Sequence, residues 1–365
     1  MSIKGLVIRL TPKPVLHSYQ VYKCAKRGYH TPVYAGADMS EQMDKFIPMY
    51  IKKDKLSNKA YLDNLKKDMC RAWYEYNISP HEYLMYDFMV KSDEERSTYV
   101  SDVYKDYMLD TLDGHKNYEF LSDKYAFYLK TRKYFNREVI QLDSNTGMNE
   151  FVEFAVRNKN LFIKKNGESY GHGTMIVDLY TAEDARNYYS ATLIGGGNFV
   201  IEKRLTQNAF MARWNDSSVN TVRINSFLNT DGHTVLAPFI RFGRKGSIVD
   251  NGGSGGIFAC IDSTSGEIIT NAKDELGNEY KLHPDSQVRI KGEVIPYWNE
   301  LIETAKAVHK SLPNHLYIGF DFALNSDNQW TLIEGNWGQF VCQQSCLKRG
   351  LKNEYKSLMT KKKYK

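Results

Sequence analysis

A chain of 365 residues and 42.2 kDa exceeds what one apolar core usually serves, so two or three lobes are expected. Hydrophobic residues at 42%, charged residues at 25% and 26 tyrosines exclude a disordered chain. No apolar run reaches the roughly 18 residues of a membrane span, no secretory signal is visible, and a net charge of +6 without a nucleic-acid motif indicates no specific nucleic-acid partner.

The expected location is therefore the cytoplasm. Five irregularly spaced cysteines agree with reduced thiols; Cys342 and Cys346 lack a second Cys/His pair, so zinc is not expected.

The first residues contain one strand-like piece, Gly5-Leu6-Val7-Ile8. From residue 57 to about 117 the chain is rich in Lys, Glu, Tyr, Leu and Met and poor in Gly, which predicts an irregular helical region. Its stripe of Tyr83, Tyr86, Met89 and Val90 reads as core or lobe interface.

After Gly147 the pattern changes to short β-like runs: Leu161–Lys164, Phe199–Glu202, Thr221–Asn225, Val235–Phe239, Tyr317–Asp321 and Trp330–Glu334. Helical stretches at Thr181–Ser190 and Tyr297–Ser311 interrupt them, and the alternation predicts an α+β architecture with mostly antiparallel sheet. The tail Lys361-Lys362-Lys363-Tyr364-Lys365 is the single low-complexity stretch, read as a solvated end or a weak contact with an anionic surface.

Four segments carry candidate chemistry. In Leu161-Phe-Ile-Lys164 a strand ends on lysine and enters a loop with Gly167, Gly171, His172 and Gly173, where backbone N–H groups can approach phosphate oxygens while Lys164 supplies a charge. The GxxxxGK[ST] order is absent, so this is not a P-loop. Phe199-Val-Ile-Glu-Lys-Arg-Leu205 is an apolar strand whose end can present backbone groups to an adenine ring, with Glu202 beside it. Arg223, Arg241 and Arg244, with the glycine run after Asp250, supply planar donors for carboxylates and phosphates.

The fourth is the hairpin formed by Tyr317–Leu324 and Gln329–Asn336. A four-residue turn pairs Leu324 with Gln329 and sets Asp321 opposite Leu332, on the face shared by Glu334 and Asn336; an odd-length loop would move Asp321 to the other face. Three oxygen donors on an otherwise apolar hairpin suit a hard divalent cation. Taken singly, each segment also reads as a surface hairpin, a glycine turn or a buried strand; their company points to acyl-phosphate chemistry.

In Asn220-Thr-Val-Arg223, Val249–Ile257, Gly319-Phe-Asp321 and Glu334-Gly-Asn336 the chain resembles the ATP-grasp superfamily, and in detail its sugar-transfer-associated branch, over about residues 83–350. The resemblance implies an α+β ATP-grasp fold, two lobes gripping ATP, preceded by a largely helical region. Residues 1–118 would form that region, with a role in substrate recognition; residues 119–206 a small lobe with the phosphate loop; 207–350 a large lobe with the metal site; 351–365 a basic tail.

It further implies that Asp321, Glu334 and Asn336 hold magnesium, two ions, with manganese as a substitute. Lys124 and Lys164 contact the phosphates of ATP, Lys130 competing for the place of Lys124; Gly171, His172 and Gly173 cover the phosphates; Glu202, Lys203 and Leu205 contact the adenine. Arg223, assisted by Arg241 or Arg244, stabilises an acyl phosphate, and Arg241 with Asn251 resembles a pair in amino-acid-adding ligases.

The implied activity is ligation of a carboxylate, a uronic or amino acid, to an amine in surface polysaccharide (capsule) or peptide modification. The alternatives are an ATP-binding protein without turnover and a phosphotransferase. Dimers are common among such relatives, and the oligomeric state stays open.

Overall fold

The structure, a computed structural model, describes residues 12–114, 119–143, 147–167, 173–195, 197–244 and 246–361. The chain divides into two compact units: residues 1–108, 275–278 and 339–356 form one, and residues 109–274, 279–338 and 357–365 the other.

The first unit is helical among its described residues, with α1 at Lys13–Lys26, α2 at Met39–Tyr50, α3 at Lys59–Tyr76 and α4 at Pro80–Met85. Local chemistry sets the boundaries. Asp38 and Asn58 accept backbone N–H bonds at the starts of α2 and α3, and Ser79 with Glu82 forms a capping box ahead of Pro80. Asn77, left-handed at φ 58°, ends α3.

Tyr83 and Tyr86 are buried beside Phe88 and Tyr99. The predicted stripe does not extend further: α4 stops at Met85, the left-handed Asp87 turns the chain, and Val90 is 79% exposed. A helix at Val341–Leu347 also clusters with this unit, within residues 339–356. Its anchors are polar: Gln344 donates to Tyr86 Oη and to the Val100 carbonyl and accepts from Val100 N–H, while Ser345 Oγ donates to the Met85 carbonyl.

The second unit holds two antiparallel sheets. The smaller contains β1 at Val139–Leu142, β2 at Asn160–Lys165, β3 at Met175–Asp178 and β4 at Phe199–Lys203, in the order β1-β4-β2-β3. One face carries Leu161, Ile163, Phe199 and Ile201, which pack with Phe151, Phe154 and Ala155 of a helix at Met148–Asn158 and Ala185 of another at Ala182–Tyr188. Strand alternation leaves Phe162, Lys164, Val200 and Glu202 on the opposite face.

The larger sheet comprises β5 at Thr221–Asn229, β6 at Gly232–Val235, β7 at Phe239–Phe242, β8 at Ile257–Cys260, β9 at Ala272–Lys273, β10 at Glu279–Tyr280, β11 at Tyr317–Leu324 and β12 at Trp330–Asn336. The order is β10-β9-β8-β7-β5-β11-β12, with β6 paired to β5. The run Val235–Phe239, expected as one strand, is split between β6 and β7 because Pro238 has no N–H for a ladder and Ala237 takes φ 44°. The helix Trp298–Lys310 covers one face through His309, which bonds Ser226 Oγ and stacks edgewise on Phe320. The other face of β5 and β11 carries Arg223 and Asp321.

Candidate functional site

The arrangement follows from register. Asp321 of β11 pairs with Arg223 of β5 on one side and with Glu334 of β12 on the other, and Gly319 pairs with Asn336. The turn between β11 and β12 is one residue longer than expected, because Leu324 pairs with Trp330 and not Gln329. That odd length alone would face Asp321 with Ile333. A bulge at Ile333 shifts the pairing by one residue and brings Glu334 opposite Asp321.

Asp321 is fully buried. Arg223 Nε donates to its Oδ1, while Arg223 Nη2 and Arg241 Nη2 each donate to Oδ2 at 2.8 Å. Burial pushes the carboxyl up, but Arg223 and Arg241 outweigh it and hold it at about 2. Across the strand pair, burial followed by the charge of Asp321 raises Glu334, against the pull of Lys164, Arg241 and Arg223. Two carboxylates set opposite each other across a strand pair repel when both are ionised, and a divalent cation fits between their oxygens.

Asn336 adds a neutral donor. Its Oδ1 accepts from Gly338 N–H at 2.8 Å and lies over Gly319, where a Cβ would stand 2.8 Å from that oxygen. Gly335 separates Glu334 from Asn336 because a Cβ there would meet the Phe127 ring at 2.6 Å. Among the described residues no three His, Cys, Asp or Glu side chains form an all-protein cage. Magnesium needs none, since two carboxylates completed by water and phosphate oxygens satisfy it.

The glycine-rich run after Asp250 is pinned to this cluster. Asp250 Oδ2 accepts from Thr221 N–H and Thr221 Oγ1, and lies 3.5 Å from Arg241. Gly256 packs so closely on the Asp250 and Asn251 carbonyls that no side chain fits there. Asn251 starts a short 3-10 turn whose carbonyl accepts from Ser254 and Gly256 N–H. Asn220 holds the segment before β5 through bonds to the Met211 and Asn215 carbonyls, and its own oxygen accepts from Gly243 N–H. Arg244 stands outside the cluster, past the end of β7, 3.7 Å from Asp285.

On the small sheet Lys164 Nζ and Glu202 Oε1 are 2.8 Å apart, and Arg137 closes on Glu202 from the other side at 2.5–2.7 Å. Burial would raise Glu202, but Arg137 and Lys164 bring it to about 2. Arg137 also donates to the Leu332 carbonyl at 2.9 Å, joining the end of β4 to β12 two residues before Glu334. Sequence reasoning missed this arginine, which stands in a loop without a motif.

The second lysine segment is tied in by Asn166, whose side chain accepts from Lys124 N–H at 2.9 Å and donates to Asp123, the N-cap of the helix Lys124–Thr131. Lys130 is exposed, its ammonium 4.8 Å from the centre of the Phe120 ring. Lys203 is exposed and Leu205 half-buried just after β4. Gly167 and Gly173 are both left-handed turn residues, at φ 81° and 70°; Gly171 and His172 lie outside the described residues.

A sequence profile described as sugar-transfer associated ATP-grasp matches residues 115–360. Among solved structures the chain is similar to D-alanine–D-alanine ligase from Bacillus anthracis, at 16% identity over 66% of this chain and 63% of that one, with a TM-score of 0.38. It is similar to D-alanyl-alanine synthetase A from Vibrio cholerae at 11% identity, 66% and 65% coverage and a TM-score of 0.39, and to the ATP-grasp ligase PsnB complexed with minimal precursor at 12%, 73% and 70%, and 0.42. The chain spans less than two thirds of the D-alanine–D-alanine ligases it matches. Comparison with curated protein sequences gives no match.

Proposed function

Because the chain belongs to the sugar-transfer associated ATP-grasp family, we propose that it binds ATP with magnesium and activates a carboxylate as an acyl phosphate for attack by an amine. The observation that carries this reading is the opposed pair of buried Asp321 and half-buried Glu334, with Asn336 on the strand face of Glu334 and Arg223, Arg241 and Lys164 within electrostatic reach.

Asp321, Glu334 and Asn336 are the residues assigned to magnesium, which when bound neutralises charge on the phosphate oxygens and orients them. The surrounding side chains are nearly balanced: Asp250, Asp321, Glu334 and Glu202 against Arg137, Arg223, Arg241 and Lys164. Such a site accepts the triphosphate of ATP at low electrostatic cost when divalent cations accompany it, which supports two ions.

In this reading Lys164 leaves part of its bond to Glu202 to meet the phosphates, with Lys124 approaching from its own helix start. Gly171, His172 and Gly173 cover the phosphates and exclude water. Glu202, Lys203 and Leu205 form the adenine edge.

The substrate carboxylate attacks the γ-phosphorus, ADP leaves, and the amine then displaces phosphate from the acyl carbon. Arg241, its side chain 14% exposed against 6% for Arg223, is the better placed arginine to steady the acyl phosphate; Arg223 gives both its bonds to Asp321 and sets the position of that carboxylate. Arg244, past the end of β7 and 3.7 Å from Asp285, is assigned an assisting role toward the acyl phosphate.

A uronic or amino acid joined to an amine, in a surface-polysaccharide or peptide setting, is the substrate class proposed. The test is ADP and phosphate release from MgATP with pooled sugar acids, amino acids and amines. Release that needs both a carboxylate and an amine supports the ligase; a stable phosphorylated product, or binding without release, contradicts it.

A further inference from the structure

The first 37 residues contain Lys4, Arg9, Lys13, Lys23, Lys26 and Arg27 and no Asp or Glu, so they account for the whole net charge of +6 while the rest of the chain is balanced. Within them α1 is seated by one side, on which Cys24 is 2% exposed and His17 lies 3.9 Å from Glu75 of α3.

The opposite side is open. At 100° per residue, Val15, Tyr19, Tyr22 and Lys26 fall within one narrow stripe diametrically opposed to Cys24. Val15, Tyr19 and Tyr22 are 58%, 53% and 56% exposed. Lys23 and Lys26 lie over the rings of Tyr19 and Tyr22 at 4.8 and 5.0 Å.

We propose that this face of α1 docks the protein on a bilayer surface carrying anionic headgroups. Tyrosine suits such a boundary because its ring is apolar and its hydroxyl wet, and lysine stems lie along the apolar layer while their ammonium groups reach phosphate. An exposed helix face is convex and offers a line of contact, which fits a plane better than the groove a threaded polyanion requires. Of the carboxylates on the neighbouring helix, Glu75 is held by Arg71 at 3.0 Å and faces the seated side, and Asp68 is held by Arg96 at 2.7 Å, so neither opposes the headgroups.

The test is co-sedimentation of the full chain with vesicles of phosphatidylcholine alone and of phosphatidylcholine with phosphatidylglycerol, at low and high salt. The expected result is partition to the phosphatidylglycerol vesicles alone, weakened by salt. Lys23→Glu with Lys26→Glu, and separately Tyr19→Ser with Tyr22→Ser, should each lower it at least about tenfold without changing the circular dichroism spectrum. A chain ending at Lys361 should still partition, which separates α1 from the basic tail. The proposal is overturned by absence of partition, by equal partition to both vesicles, by partition undiminished in the double variants, or by capture on dextran sulfate with the vesicles left free.

Discussion

Asp321 and Glu334 stand opposite each other because two irregularities add: a turn one residue longer than four and a bulge at Ile333 together move the register by two residues, which returns both carboxylates to one face. Each alone would send one carboxylate to the wrong face of the sheet. Their environments are unequal, since Asp321 is held by two guanidinium groups while Glu334 is raised by burial and by Asp321 itself.

The two carboxylates should therefore separate stability from activity. Asp321→Asn leaves Arg223 and Arg241 buried against a neutral partner and should cost about 3 kcal/mol, seen as a clear fall in Tm. Glu334→Gln removes a half-buried carboxyl from its repulsive neighbour and should leave Tm unchanged or higher. Both should abolish magnesium-dependent ATP turnover. Thermal unfolding and ADP release on the same preparations decide it; equal Tm losses would contradict the unequal environments.

Gly319 and Gly335 should behave differently on substitution. Gly319→Ala places a methyl against Asn336 Oδ1 and the Gly338 backbone, so it should raise the magnesium concentration required for ATP binding several-fold with a modest loss of stability. Gly335→Ala drives a Cβ into the Phe127 ring and should cost about 1–3 kcal/mol before any effect on magnesium is seen. Magnesium titration beside thermal unfolding measures both.

Arg137 is expected to act as a positioning residue, holding Glu202 and the Leu332 carbonyl. Arg137→Lys keeps the charge but cannot span both partners with a planar fork. It should raise the Kd for ATP about tenfold and move kcat less than KM. An unchanged Kd would show that the bridge is merely structural.

Acid should expose the Glu202 triad. Its carboxyl lies at about 2 in the folded chain against an ordinary 4.5, so the linked stability is complete above 4.5 and is lost as pH falls toward 2. Glu202→Gln should flatten that part of the stability profile, measured by denaturant unfolding at a series of pH values, and lower the stability at neutral pH by leaving Arg137 and Lys164 without their anion.

Much of the second unit was legible because its signals are local. The strands around Lys164, Glu202 and Asp321 stand out as apolar runs, and the caps and glycines mark their ends. What escaped depends on partners distant in the chain. Arg137 meets Glu202 and Leu332 through loop geometry, and Asp250 meets Thr221 across the sheet; neither has a spacing that announces it. The hairpin turn was misjudged by one residue, and the bulge that adds to it has no signature in Leu332-Ile333-Glu334. The helix Val341–Leu347 clusters with the first unit through buried Gln344 and Ser345, polar anchors that no apolar stripe announces.

The central claim is an acyl phosphate, and hydroxylamine tests it most directly, since it captures such a species as a hydroxamate without needing the natural amine. The chain incubated with MgATP, pooled sugar acids and amino acids, and hydroxylamine should form hydroxamate, ADP and phosphate together, and Glu334→Gln should form none. A stable phosphorylated product with no hydroxamate, or ATP bound and left intact under every carboxylate pool, would contradict the account.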